Sequence, residues 1–146
     1  MDDIVIEETF PYSIEQVWQA LTDPAAIADW LMPGDFKAIV GHKLEFRCAG
    51  HGEFDGVVKV EILKVEIPRL LAYSWLGGDI KIPTVVTYTL TALPRNQTRL
   101  VLKHTGFSED NGKFMHSLVQ GGWPGKIKAD LAKVLARISQ KGAVHA

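Results

Sequence analysis

The segment WPGKIKADLAKVLARISQK, Trp123 to Lys141, constrains the fold more than any other. Ile127, Leu131, Val134, Leu135 and Ile138 recur three or four residues apart, so they share one side of a long helix. Lys126, Lys133 and Arg137 fall elsewhere, and Pro124 suits a helix start. A helix with one apolar stripe draws most of its stability from a matching surface. The rest of the chain must therefore supply a broad apolar face.

Strand-like segments supply it. DIVIEETF (residues 3–10) opens the chain, and HKLEFRCAG places Leu44, Phe46 and Cys48 on one parity. In VVKVEILKVEI the apolar parity switches after Ile62 and continues through Leu63, Val65 and Ile67, which predicts a β-bulge near Ile62-Leu63. RLLAYSWL aligns Leu71, Tyr73 and Trp75, and TVVTYTLTAL aligns Val86, Tyr88 and Leu90 against a threonine face. TRLVLKHTGF puts His104 on the buried parity of Leu100 and Leu102.

Two short helices are expected after the first strand. Ser13 and Gln16 have the spacing of a capping box, and Tyr12 and Val17 that of a hydrophobic staple. Asp23-Pro24 starts a second helix that runs toward Trp30. NGKFMHSLVQ reads as a short helical segment, and the glycines and proline of GGWPG are expected to interrupt it. The result is an α+β domain with a helix-grip layout. A curved antiparallel sheet of about six or seven strands wraps the long C-terminal helix and leaves an internal cavity.

Length and composition bound the function. The 146 residues suit a single domain spanning 1–146. Sixteen basic and seventeen acidic side chains give a net charge of -1, which argues against a nucleic-acid partner. No apolar run approaches a membrane span of about 20 residues, and MDDIVIEE does not resemble a secretory signal. With Cys48 the single cysteine there is no internal disulfide, and a reducing cytoplasm is the expected compartment. No His-x-x-x-His pair arises among His42, His51, His104, His116 and His145, so no metal is expected. Neither glycine cluster, GGWPG or LGGDIK, has nucleotide-loop spacing, and no cofactor is expected. Adjacent acids such as Glu7-Glu8 face opposite sides of a strand; Glu8 shares the parity of Ile4, Ile6 and Phe10.

The segments SIEQVWQALTDPAAIADWLMP, GVVKVEILKVEIPRLLAYSW, TVVTYTL, TRLVLKHTGF and GGWPGKIKADLAKVL resemble the SRPBCC superfamily: START-like, birch-pollen-allergen-like and polyketide cyclase-like proteins. Within it the chain is similar to the heat-shock-protein-90 ATPase activator homology family. The resemblance implies a helix-grip fold but no single activity, because the superfamily hosts binders, carriers and enzymes. Gly41-His42 stands where many relatives show a glycine pair.

If the helix covers the sheet, the inward residues are Phe46, Cys48, Tyr73, Trp75, Tyr88, Leu102 and His104. Trp30, Met32 and Phe36 join them from the segment after the second helix, and Trp123 from the helix start. A mostly apolar wall with a few polar handles suits a small-molecule site. Cys48, among Leu44 and Phe46, is expected to be a small, inert core residue. Three functions stay open. The first is non-enzymatic binding of a small apolar or aromatic ligand. The second is a cyclase, dehydratase or hydrolase using His104 as acid–base with Tyr73 or Tyr88. The third, implied by resemblance alone, is an interaction module with a chaperone partner. A monomer and a homodimer are both compatible with the sequence.

Overall fold

The structure, a computed structural model, describes residues 1–52 and 54–145, with side chains through Ser139. The side chain of His145 lies outside the described residues. Strand β1 (Ile4–Phe10) leads into α1 (Ile14–Thr22) and α2 (Pro24–Trp30), followed by β2 (Lys43–Arg47), β3 (Val57–Glu66), β4 (Leu70–Trp75), β5 (Thr84–Leu93) and β6 (Gln97–Thr105). The chain closes with α3 (Lys113–Gly125), a π-helical turn (Lys126–Asp130) and α4 (Leu131–His145). The six strands form one antiparallel sheet in the order β1-β6-β5-β4-β3-β2. This is the α+β helix-grip layout, with a curved sheet of six strands.

Local chemistry explains the entry. Ser13 accepts the Gln16 N–H at 3.2 Å while the Gln16 side chain accepts the Ser13 N–H at 3.0 Å, a closed capping box. The Asp23 carboxylate accepts the Ala26 N–H at 3.1 Å and starts α2, with Pro24 at its first position. In β3 the register to β4 shifts between Ile62 and Lys64, and Leu63 turns outward, 42% exposed. That extra residue bends the strand.

The expected break at GGWPG does not occur. The helix runs through Pro124 and widens only afterwards, where the Leu131 N–H bonds the Lys126 carbonyl, five residues back. Tertiary contacts override weak propensity here. Met115, Val119 and Trp123 are buried along one side of α3, and Ile127 and Leu131 carry that side onward. A distant carboxylate fixes the start of α3. Asp79, between β4 and β5, accepts the Phe114 N–H at 2.7 Å and the Met115 N–H at 3.0 Å. Beside it Gly112 sits at φ 77°, where a side chain would be strained. Asn111 ties the same corner together. Its carbonyl accepts the Lys81 and Ile82 N–H groups, and its amide donates to the Ile82 and Gly106 carbonyls.

Candidate functional site

Between α3 and the concave sheet lies a cavity of about 230 Å³. Its inner wall is Trp75 from β4 with Met115, Val119 and Trp123 from α3. Leu31 and Met32 follow α2, and Phe54 comes from the β2–β3 connection. All seven are buried. At the mouth stand Cys48, Ala49 and His51, which are exposed, and Lys126, which is half-buried. An apolar cavity of about 150 Å³ is large enough to admit benzene, so this one has room for a somewhat larger molecule.

Four of the expected lining residues are brought together here: Met32, Cys48, Trp75 and Trp123. The other seven, Trp30, Phe36, Phe46, Tyr73, Tyr88, Leu102 and His104, are buried outside it. Phe36 and Phe46 stack with centroids 6.5 Å apart, and each meets Tyr73 edge-on at 6.0 and 6.1 Å. The Tyr73 and Tyr88 hydroxyls bond each other at 2.7 Å. Burial pushes both phenols above their ordinary range. Trp30 meets Tyr88 edge-on and donates its indole N–H to the Ala20 carbonyl at 2.8 Å. The polar atoms of this block are satisfied within the protein.

His104 is fully buried, and its neighbours fix its tautomer. The Trp123 indole can only donate, so Nδ1 accepts its N–H at 3.1 Å. Thr84 donates its hydroxyl to the Trp75 carbonyl at 2.8 Å, so His104 Nε2–H donates to Thr84 Oγ1, also at 2.8 Å. Protonation would set a second donor against the Trp123 N–H. Desolvation, with a smaller repulsion from His116, lowers the imidazole to about 3. These bonds link His104 to Trp123 and Thr84, and its ring meets Trp75 edge-on with centroids 5.5 Å apart. Trp75 itself carries an anomaly. Its indole N–H is the one buried side-chain polar atom without a partner among the described residues. An unmade buried hydrogen bond costs about 1–3 kcal/mol.

Cys48 corrects an expectation. Strand β2 ends at Arg47, so the alternation stops one residue short, and Cys48 is exposed at the mouth rather than packed with Leu44 and Phe46. Partial desolvation raises its pKa and Lys126 pulls it back to a lesser extent, so it stays a thiol near neutral pH. Glu8 is half-buried on β1, and its carboxylate accepts the neighbouring Thr9 N–H at 3.2 Å.

Further lining residues are Phe54, Met115, Leu118, Val119, Gly122 and Lys126, and the four-residue spacing of Met115, Val119 and Trp123 is the sequence signal that points to two of them. Gly122 carries a legible sign. A glycine in a helix costs about 1 kcal/mol against alanine, yet a Cβ at Gly122 would meet nothing within 4 Å. Neither a positive backbone angle nor crowding requires it, and it lines the hollow.

Among the described residues no three His, Cys, Asp or Glu side chains gather as metal ligands, and no helix is long and apolar enough to cross a membrane. The family model for activator of Hsp90 ATPase homolog 1-like protein matches residues 11–136. No curated protein matches the chain. Among solved structures, protein MLL2253 from Mesorhizobium loti is 33% identical over 93% of this chain and 98% of its own, with a TM-score of 0.81. CalU16 from Micromonospora echinospora is 27% identical over 95% of this chain and 82% of its own, at 0.71. An HSP90 activator from Plasmodium falciparum, 18% identical over 94% and 96%, shares the fold at 0.71.

Proposed function

The chain belongs to the activator of Hsp90 ATPase homolog 1-like family, and from the hollow beside its helix we propose that it binds a small, largely apolar molecule without changing it chemically. The observation that carries this is the 230 Å³ cavity walled by Trp75, Met115 and Trp123 and reached past Cys48 and His51. Hydrophobic walls with few polar groups suit capture and orientation. The enzymatic alternative finds no support in the geometry around His104. Both its nitrogens are bonded, to Trp123 and Thr84, and Tyr73 and Tyr88 bond each other instead.

Thermal unfolding against a panel of small aromatic and aliphatic compounds tests this reading. A ligand at 100 times its Kd adds about 2.7 kcal/mol to stability, so binders raise Tm in the wild-type protein. Gly122→Leu, which fills the hollow, removes that rise. A wild-type protein whose Tm no compound raises, or a variant that responds equally, contradicts it.

A second reading, modulation of a chaperone ATPase, draws support from the family and from the HSP90 activator that shares the fold. The chaperone of the same organism, assayed for ATP turnover with and without this protein, decides it. An unchanged rate rejects it.

A further inference from the structure

We propose that the molecule held in the cavity is an organic anion, its apolar body against Trp75 and Trp123 and its carboxylate on Lys126 at the mouth. This rests on the reading that the cavity binds a ligand, and adds the ligand's charge.

Among the described residues the lining contains one permanent charge. Of the thirteen described residues that line the hollow, Lys126 alone is a cation and none is an acid. His51 adds a second basic group, and Cys48 stands there as an uncharged thiol. Lys126 is half-buried, and among the described residues no carboxylate lies within ion-pair distance of it. Its ammonium has three protons to donate and a single long bond, to the Leu31 carbonyl at 3.4 Å. That bond draws the ammonium toward α2 and the segment that forms the opposite lip. The π turn begins at this residue, which lines the hollow.

This arrangement discriminates between ligands. A neutral molecule filling the hollow strips water from the ammonium and returns nothing, which is unfavourable. A cation adds repulsion. A carboxylate replaces the lost water with a charge-assisted hydrogen bond, among the stronger kinds available.

Isothermal titration calorimetry of the full chain with 2-naphthoate, 2-naphthamide and 2-naphthylmethylamine tests the charge while the ring system stays constant. The acid binds at least about tenfold tighter than the amide, the ratio expected of a charge-assisted bond, and the amine binds weakest. Lys126→Met abolishes the preference by weakening the acid and removing the desolvation penalty on the amide, so that the two bind alike, and Lys126→Arg restores the preference. Equal affinity for acid and amide, with both lost in Gly122→Leu, overturns the charge assignment but leaves the cavity reading standing. A preference that survives Lys126→Met also overturns it. Failure of all three probes, or binding unaffected by Gly122→Leu, removes the cavity reading and this proposal together.

Discussion

Around Tyr73 and Tyr88 the polar side-chain atoms find partners among themselves, and the rings of Phe36, Phe46 and Trp30 close the gaps. Two residues further along β4, Trp75 has a partnerless indole N–H and a hollow beside it. Strand β4 serves both regions, with Tyr73 in the one and Trp75 in the other. What differs is the layer above. Over the hollow lies α3, which lines it with Met115, Leu118, Val119, Gly122 and Trp123 and has a π turn after it. Helix residues without side chains cannot fill the space beneath them. The core is thus solid around Tyr73 and Tyr88 and open beside Trp75, where Gly122 brings no side chain to the space.

The largest test of that contrast lies in the solid block. Phe46→Ala removes a fully buried ring and is expected to cost about 3–5 kcal/mol in urea unfolding. Leu118→Ala, a half-buried position on the hollow, should cost less than about 1 kcal/mol, because its side chain already borders empty space. Equal losses would mean that the two regions are packed alike. Tyr88→Phe comes next. It leaves the Tyr73 hydroxyl buried without a partner and should cost about 1–3 kcal/mol, and the Tyr73→Phe, Tyr88→Phe double variant should recover part of that loss.

His104 separates the regions by pH. Its pKa in the folded chain, about 3, lies below the ordinary histidine value of 6.5. Above pH 6.5 both folded and unfolded chains hold it neutral, and its contribution to stability is complete. As pH falls toward 3 the unfolded chain takes up the proton and the folded chain does not, so stability is lost. The slope is about 1.4 kcal/mol per pH unit. In unfolding measured between pH 6.5 and 4, His104→Gln should be less pH-dependent than wild type by that slope, and parallel profiles would show a solvated imidazole. The smallest effect is at Gly122. Gly122→Ala should raise stability by about 0.5–1 kcal/mol through helix propensity alone, with the added methyl in open space. A destabilised variant would mean that the space is already filled.

Much of the architecture was legible because it rests on local chemistry and period. The Ser13–Gln16 box, the Pro24 start, the bulge after Ile62 and the inward parity of His104 are all in the structure. The site was less legible. Alternation does not announce where a strand stops, so Cys48 was carried inward one residue past the end of β2. GGWPG reads as a break because its support is remote: the carboxylate that holds the start of α3 belongs to Asp79, 35 residues before Phe114. The connection between β2 and β3 reads as turns, yet the His51–Phe54 bridge folds Phe54 under the mouth. Parity placed Tyr73 and Tyr88 inside but says nothing of whether a neighbour fills the space beside them. That depends on which face of α3 lies above.

Xenon is the most direct probe of the difference, because an empty apolar cavity takes it up and a packed core does not. In crystals held under xenon pressure, density should appear between Trp75, Met115 and Trp123, vanish in Gly122→Leu, and never appear around Tyr73 and Tyr88. A wild-type crystal with no xenon beneath α3, or with xenon in the tyrosine block instead, would contradict the division of this core into a sealed half and a hollow one.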